Sequence, residues 1–263
     1  MRPNTRLFVI LWLAGFAGVL STLLIDLEAL LKILPLPPDT ELPMSMKWLK
    51  VVSLIQPAVL VAIAVLIGVG LAPKVGLSSP MAEATARSGG GVISALRPQI
   101  VPGILGGLVG GASLVLIATV LKPFFSPEML TRLGEFGNIL PIPTRLLYGG
   151  ITEEVLLRWG FMTLLVWAAW RLFHKGQDRP KPAYFVAAIL ISSLVFAVGH
   201  FPVALMLFPE PTPALIVFVI FGNSAFGLMG GYLYWKKGLE SAMIAHALTH
   251  VVMFSASYFG AYF

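Results

Sequence analysis

The sequence predicts an all-α fold, a polytopic integral membrane helix bundle with seven to eight transmembrane helices. Of its 263 residues 57% are hydrophobic and only 11% are charged, whereas roughly a quarter are charged in soluble domains. The charged residues also fall in short clusters between long uncharged runs. Because about 20 apolar residues cross a bilayer, the chain consists of spans and short connections. We therefore expect residues 1–263 to form a single membrane-embedded domain.

Seven apolar runs are each long enough to span. The first follows Arg2 and Arg6 and is too long for a signal peptide, so we expect it to be retained. Three prolines in the connection 200–212, followed directly by Pro213, favour a turn between two helices, with a short re-entrant or interfacial helix at 203–208. An eighth span within 122–145 or 200–210 is the alternative. The seven runs are residues 7–25, 51–73, 98–121, 146–170, 182–209, 211–235 and 241–263.

The basic residues are distributed unequally between the two sides of the bundle. With seven spans, the connections on the N-terminal side hold 11 Lys and Arg and those on the opposite side hold 6. The positive-inside rule then favours a cytoplasmic N-terminus. The net charge of +6 is typical of basic residues that flank spans and meet anionic headgroups. The lipid bilayer is thus an expected partner, and nucleic acid is not.

Two other features of the composition bear on packing and chemistry. The chain has no cysteine, which excludes disulfides, thiolate metal ligands and a cysteine nucleophile. Glycines recur in small-xxx-small patterns at 103–111 and 222–231. We expect these glycines to serve the close approach of neighbouring helices.

Three ionisable residues lie inside the fourth apolar run. A charge within a span costs about 2.5 to 3.5 kcal/mol on insertion scales, so such residues face the bundle interior and usually mark function. Glu154 and Arg158 are four residues apart and can pair within the helix. Glu153 is turned about 100° away and has no partner in its own helix. A purely structural ion-pair network would explain Glu154 and Arg158 but leaves Glu153 unexplained.

Three histidines also lie in or at the ends of spans. His200 ends the fifth run, while His246 and His250 are four residues apart on one face of the last. Glu153 and His200 are 18 and 19 residues from the two ends of the loop 171–181. At 1.5 Å per residue they reach the same height, about 27 to 28 Å from that loop. These residues predict a cavity lined by one carboxylate and three imidazoles.

Such a cavity supports two chemistries. In one, Glu153 is a general base for a water held by His200, while His246 and His250 donate hydrogen bonds to an oxyanion. In the other, the three histidines and a glutamate hold zinc, which activates the water. His246 and His250 have the spacing of a zinc-protease helix, but Ala247 stands where that motif has its catalytic Glu. The favoured interpretation needs no cofactor, and zinc is the alternative.

Three motifs resemble those of the CPBP family, which includes CAAX prenyl protease 2 and bacteriocin-processing or abortive-infection-type membrane proteases. Their order and separations are similar to those of the family, and the resemblance covers about residues 139–255. The motifs are Glu153-Glu154-x-x-x-Arg158 for EExxxR, Phe196-x-x-x-His200 for FxxxH, and His246-x-x-x-His250 where the family has HxxxN.

The resemblance implies a multi-pass cell-membrane endopeptidase of the glutamic type, acting on a membrane-anchored or lipidated protein or peptide. It also implies a role for each matching position. Glu153 and His200 would activate the water, His246 and His250 would stabilise the oxyanion, and Glu154 and Arg158 would support the site. His250 replaces the asparagine of the family. Both side chains donate hydrogen bonds, but histidine also binds metals.

Two classes without protease activity compete with this interpretation. A proton-coupled transporter could use the embedded glutamates and histidines as a proton relay. The sequence shows no inverted repeat and no paired broken helices, which are typical of secondary transporters. A non-catalytic immunity or scaffold protein would keep the fold without turnover. Loss of cleavage on replacing Glu153 would separate the protease from both.

Overall fold

The structure is a computed structural model, and it describes residues 2–37, 41–87, 90–175 and 177–260. Its regular structure in these ranges is helical and includes no strand. Two short 3-10 turns, Thr22–Leu24 and Lys122–Phe124, extend α1 and α6. Two π-helices, Arg145–Glu153 and Val155–Met162, follow α8. The α-helices are α1 Pro3–Ser21, α2 Leu27–Ile33, α3 Met46–Ser53, α4 Ile55–Val75, α5 Pro80–Ala86, α6 Val92–Leu121, α7 Pro127–Ile139, α8 Ile142–Thr144, α9 Thr163–His174, α10 Pro182–Val198, α11 Phe201–Leu207, α12 Pro213–Lys236 and α13 Leu239–Tyr258.

Seven helical segments in the described ranges are long and apolar enough to cross a membrane. They confirm the polytopic all-α bundle. The regions considered for an eighth span form α7 and α11, of 13 and 7 residues, which are shorter than the roughly 17 to 25 residues that a crossing needs. The spans are Pro3–Leu24, Met46–Val75, Val92–Phe124, Ile142–His174, Pro182–Leu207, Pro213–Lys236 and Leu239–Tyr258.

The third span begins earlier than the apolar pattern predicts. α6 starts at Val92, after Gly91 with a φ of 100°, and not at Pro98. Pro98 and Pro102 therefore lie inside the helix. Proline interrupts backbone hydrogen bonding, but transmembrane helices tolerate it because neighbouring groups satisfy the freed carbonyls.

The fourth span lies at the centre of the bundle, where it contacts α1, α4, α10, α12 and α13. α6 packs along α12 and α13. We expected the glycines to allow a close approach of neighbouring helices, and the interface between α6 and α13 confirms this. A side chain at these positions of α6 would collide with α13. A Cβ at Gly103, Gly107 or Gly111 would lie 2.8, 2.6 or 2.5 Å from the Cβ of Ile244, Leu248 or Val252, respectively.

A second apolar cluster forms at the end of the bundle where the chain turns between the fifth and sixth spans. It joins α7 and α11 to the start of α12 through buried residues such as Met129, Leu207 and Leu215. A hydrogen bond also joins α7 to α11, because Arg132 Nη1 donates to the carbonyl of Leu207 at 2.8 Å. The connections at this end are therefore packed segments of the fold.

Candidate active site

The segment with the embedded charges is π-helical. Hydrogen bonds of the i→i+5 type run through Arg145–Glu153 and Val155–Met162. The expected α-helical geometry of this segment is therefore wrong. Apolar periodicity does not distinguish the two kinds of helix at this length. π-helical turns are rare and occur frequently at functional sites.

The predicted ion pair between Glu154 and Arg158 is confirmed. Both side chains are 0% exposed, and Arg158 Nε lies 3.2 Å from Glu154 Oε2. The guanidinium lies 5.3 Å and 5.8 Å from the ring centres of Phe196 and Phe226. A Cβ at Gly230 would be 2.8 Å from its Nη2, so the glycine makes room for the charge. The buried pair is enclosed by α10 and α12.

His246 is bound by the second oxygen of the same carboxylate. Its Nδ1 lies 2.9 Å from Glu154 Oε1. Because a carboxylate only accepts hydrogen bonds, Nδ1 donates. The other ring nitrogen, Nε2, is left to act on the side of the ring that faces Glu153. Arg158, Glu154 and His246 thus form one chain of charge-assisted contacts that fixes the orientation of the imidazole.

Glu153 finds its partner on another helix. Its Oε2 lies 3.8 Å from His246 Nε2, and its side chain is 19% exposed. This distance exceeds that of a direct hydrogen bond, but a water bonded to both groups fits such a gap. The two neighbouring glutamates therefore flank one imidazole, and only Glu153 is accessible.

His200 lies just beyond the end of α10 and is held by its own backbone. Its Nδ1 is 2.8 Å from the carbonyl oxygen of Phe196, so Nδ1 donates and Nε2 is left available. The Phe196 ring stands edge-on to His200 at 4.7 Å and to His246 at 5.7 Å. Phe196 therefore links the fifth span to the centre of the site. The FxxxH motif contained this residue, but sequence reasoning gave it no place in the site.

His250 stacks on His246, with ring centres 5.1 Å apart and planes 11° from parallel. Its Nε2 is buried with no hydrogen-bond partner. A Cβ at Gly149 would overlap this ring, so the glycine lets the fourth span approach α13. A cavity of about 150 Å³ adjoins the ring. Its walls are Ile142, Arg145, Leu146, His250, Val251 and Phe254.

The side chains of the site do not form the alternative zinc site. Within the described ranges, no group of three or more His, Asp or Glu side chains is arranged to hold a metal ion. His246 Nδ1 and His200 Nδ1 are both engaged, with Glu154 and with the Phe196 carbonyl. The set His200, His246 and His250 does not converge as zinc ligands do. The prediction that no cofactor is needed stays a prediction.

The fold and the site define a class, multi-pass helical membrane proteins with a buried Glu–Arg–His site. Residues 135–252 match the family model of the type II CAAX prenyl endopeptidase Rce1-like proteins. The match covers somewhat less than half of the chain, and over this segment it confirms the resemblance to the CPBP and CAAX protease family. A search of curated proteins and a search of solved structures each found no match.

Proposed function

We propose that the protein is an intramembrane endopeptidase of the glutamic type, which cleaves a membrane-anchored or lipidated protein or peptide in the cell membrane. The observation that carries the proposal is the contrast between two adjacent glutamates around one imidazole. Glu154 is fully buried and paired with Arg158, so its charge is already committed. Glu153 is accessible and lies 3.8 Å from His246 Nε2. The accessible carboxylate is the one suited to be a general base.

The proposed reaction needs one proton to move twice. The carboxylate of Glu153, with His200, takes a proton from water, and the resulting hydroxide attacks the carbonyl carbon of the peptide bond. The carbon–nitrogen bond then breaks, and the Glu153 carboxylic acid returns the proton to the leaving amine. Protons therefore balance without an external acid.

In this proposal the two histidines of α13 stabilise the oxyanion. Glu154 accepts a hydrogen bond from the Nδ1–H of His246 at 2.9 Å. This bond fixes the ring, and a proton on Nε2 would then be donated to the oxyanion. His250 is stacked on this ring and would add a second donor. Preorganised donors of this kind are worth about 10²- to 10³-fold in rate.

Replacing Glu153 tests the mechanism. The neutral amide of Glu153→Gln keeps the shape but cannot accept a proton, so we expect cleavage to fall by at least about 100-fold while the unfolding temperature in detergent is unchanged. Glu135→Gln, at an exposed position of α7, is the matched control and should cleave normally. The readout is the set of membrane-protein termini that form in cells with the wild-type chain and not with the variant.

Two outcomes would contradict this proposal. Cleavage that survives Glu153→Gln removes the glutamate from the mechanism. Loss of activity in a chelator, with recovery on adding zinc, replaces the carboxylate mechanism with the metal mechanism. Because the proposed steps use only side chains of this chain, we expect the chelator to leave cleavage unchanged.

A further inference from the structure

The candidate site is closed toward one end of the bundle. Between Glu153 and the loop 175–181, the inward-facing side chains of the fourth span are fully buried. Tyr234 of α12 and Leu239 of α13 are also buried on this side of the site, with 1% and 0% of their surface exposed. The fully buried residues on the fourth span are Arg158, Trp159, Met162, Thr163 and Val166, all 0% exposed. A peptide therefore has no path to the site from this end, which we call the 175–181 end.

The accessible parts of the site lie toward the opposite end, which we call the 208–212 end. The Glu153 side chain is 19% exposed, and it lies nearer the first residue of its span, Ile142, than the last, His174. The cavity beside His250 has walls from the start of the fourth span and the last turns of α13. None of these walls belongs to the apolar cluster of α7 and α11. The cavity therefore adjoins the imidazoles on the side that faces the 208–212 end.

The two ends differ strongly in basic residues. The alternation of seven spans places 11 Lys and Arg at the 175–181 end and 6 at the 208–212 end, with Arg158 between them. The acidic residues have the reverse distribution, with 3 and 7. Short connections rich in Lys and Arg stay on the cytoplasmic side, where anionic lipids attract them. The 175–181 end is therefore cytoplasmic.

From the closed side and the charge distribution together, we infer that the catalytic site opens to the extracytoplasmic face of the membrane. The substrate is then a membrane-anchored polypeptide whose scissile bond lies in the outer half of the bilayer or at its outer surface. A cytoplasmic tail would meet the sealed side of the fourth span. The inference rests on the proposed endopeptidase function for its substrate, but its orientation can be tested without any cleavage.

Single cysteines test the orientation, because the natural chain has none. Glu210→Cys and Gln177→Cys place one thiol at each end, at exposed positions. In intact cells a membrane-impermeant maleimide should label Glu210→Cys, and it should label Gln177→Cys only after permeabilisation. The reverse pattern, or equal labelling of both, overturns the inference. Each variant must show wild-type levels of folded protein in detergent.

A second measurement locates the cleaved bonds. The termini that depend on Glu153 should map to segments that an external protease removes from intact cells. If they map to cytoplasmic segments instead, the site opens the other way and the inference is wrong while the endopeptidase stands. If labelling follows the expected pattern but no termini depend on Glu153, the orientation stands and the endopeptidase proposal fails.

Discussion

Single residues show how one fully buried ion pair orients the imidazole of the site. Glu154 shares its two oxygens between Arg158 and His246. A buried charge that loses its partner is strongly destabilising, whereas a pair replaced together costs much less. Glu154 therefore contributes to the stability of the fold, whereas Glu153 does not have such a buried ion pair. The same substitution should change the free energy of unfolding at Glu154 more than at Glu153.

Glu154→Gln should destabilise the protein by about 3 to 5 kcal/mol, because it leaves the Arg158 guanidinium without its counter-charge in the interior. The double variant Glu154→Gln with Arg158→Gln should recover part of this loss, since no net charge is then left unpaired. The measurement is a double-mutant cycle on the free energy of unfolding in detergent. Purely additive effects would show that the pair is not coupled.

Among the helices, the packing of α13 against α6 sets the positions of His246 and His250. Glycines every fourth residue of α6 face Ile244, Leu248 and Val252 on α13. His246 and His250 lie on the same helix, so a shift of α13 moves both rings relative to the fourth span. The close approach that small residues allow therefore contributes to the geometry of the site.

Gly107→Ala should reduce stability by about 1 to 3 kcal/mol, because overpacking a tight contact forces its neighbours apart. The new methyl group would lie 2.6 Å from Leu248 Cβ and 2.7 Å from the carbonyl of Ala245. Gly70→Ala, in the span formed by α4 with no atom within 4 Å, is the control and should be neutral or slightly stabilising. Unfolding midpoints of the two variants in one detergent provide the comparison. Equal effects would contradict the packing role.

In the whole molecule, the first half of the chain supports a site that lies in the second half. The family match begins at residue 135, yet Thr152 donates to the carbonyl of Gly15 in α1 at 2.7 Å. Thr144 donates to the carbonyl of Ser21 at 2.7 Å. α6 supplies the surface against which α13 packs. The fourth span and α13 are thus held from both sides by helices that lie outside the matched segment.

A chain shortened to residues 135–263 should fail to give a folded, active protein. It would expose the face of α13 that contacts α6 and remove the carbonyls of Ser21 and Gly15, to which Thr144 and Thr152 donate. Size-exclusion chromatography in detergent and the cleavage readout check this expectation against the full chain. A monodisperse, active fragment would show that the first half is dispensable.

The sequence by itself determined the features that depend on local chemistry. Long apolar runs predicted the seven spans, because the bilayer selects for hydrophobic length regardless of tertiary contacts. The pairing of Glu154 with Arg158 was predictable because side chains four residues apart are neighbours on an α-helix, and they remain in contact in the π-helical segment. The order of three motifs indicated the family resemblance, which the match over residues 135–252 confirmed for that segment.

Only the tertiary structure decided which side chains of the site contact one another. The depth comparison placed Glu153 level with His200, but only the structure shows that His246 lies 3.8 Å from Glu153 and that His200 bonds to the carbonyl of Phe196. That arrangement depends on the rotation of α13 and on π-helical turns, which the apolar pattern does not encode. The difference in exposure between Glu153 and Glu154 has the same origin, because burial is a property of the packed bundle.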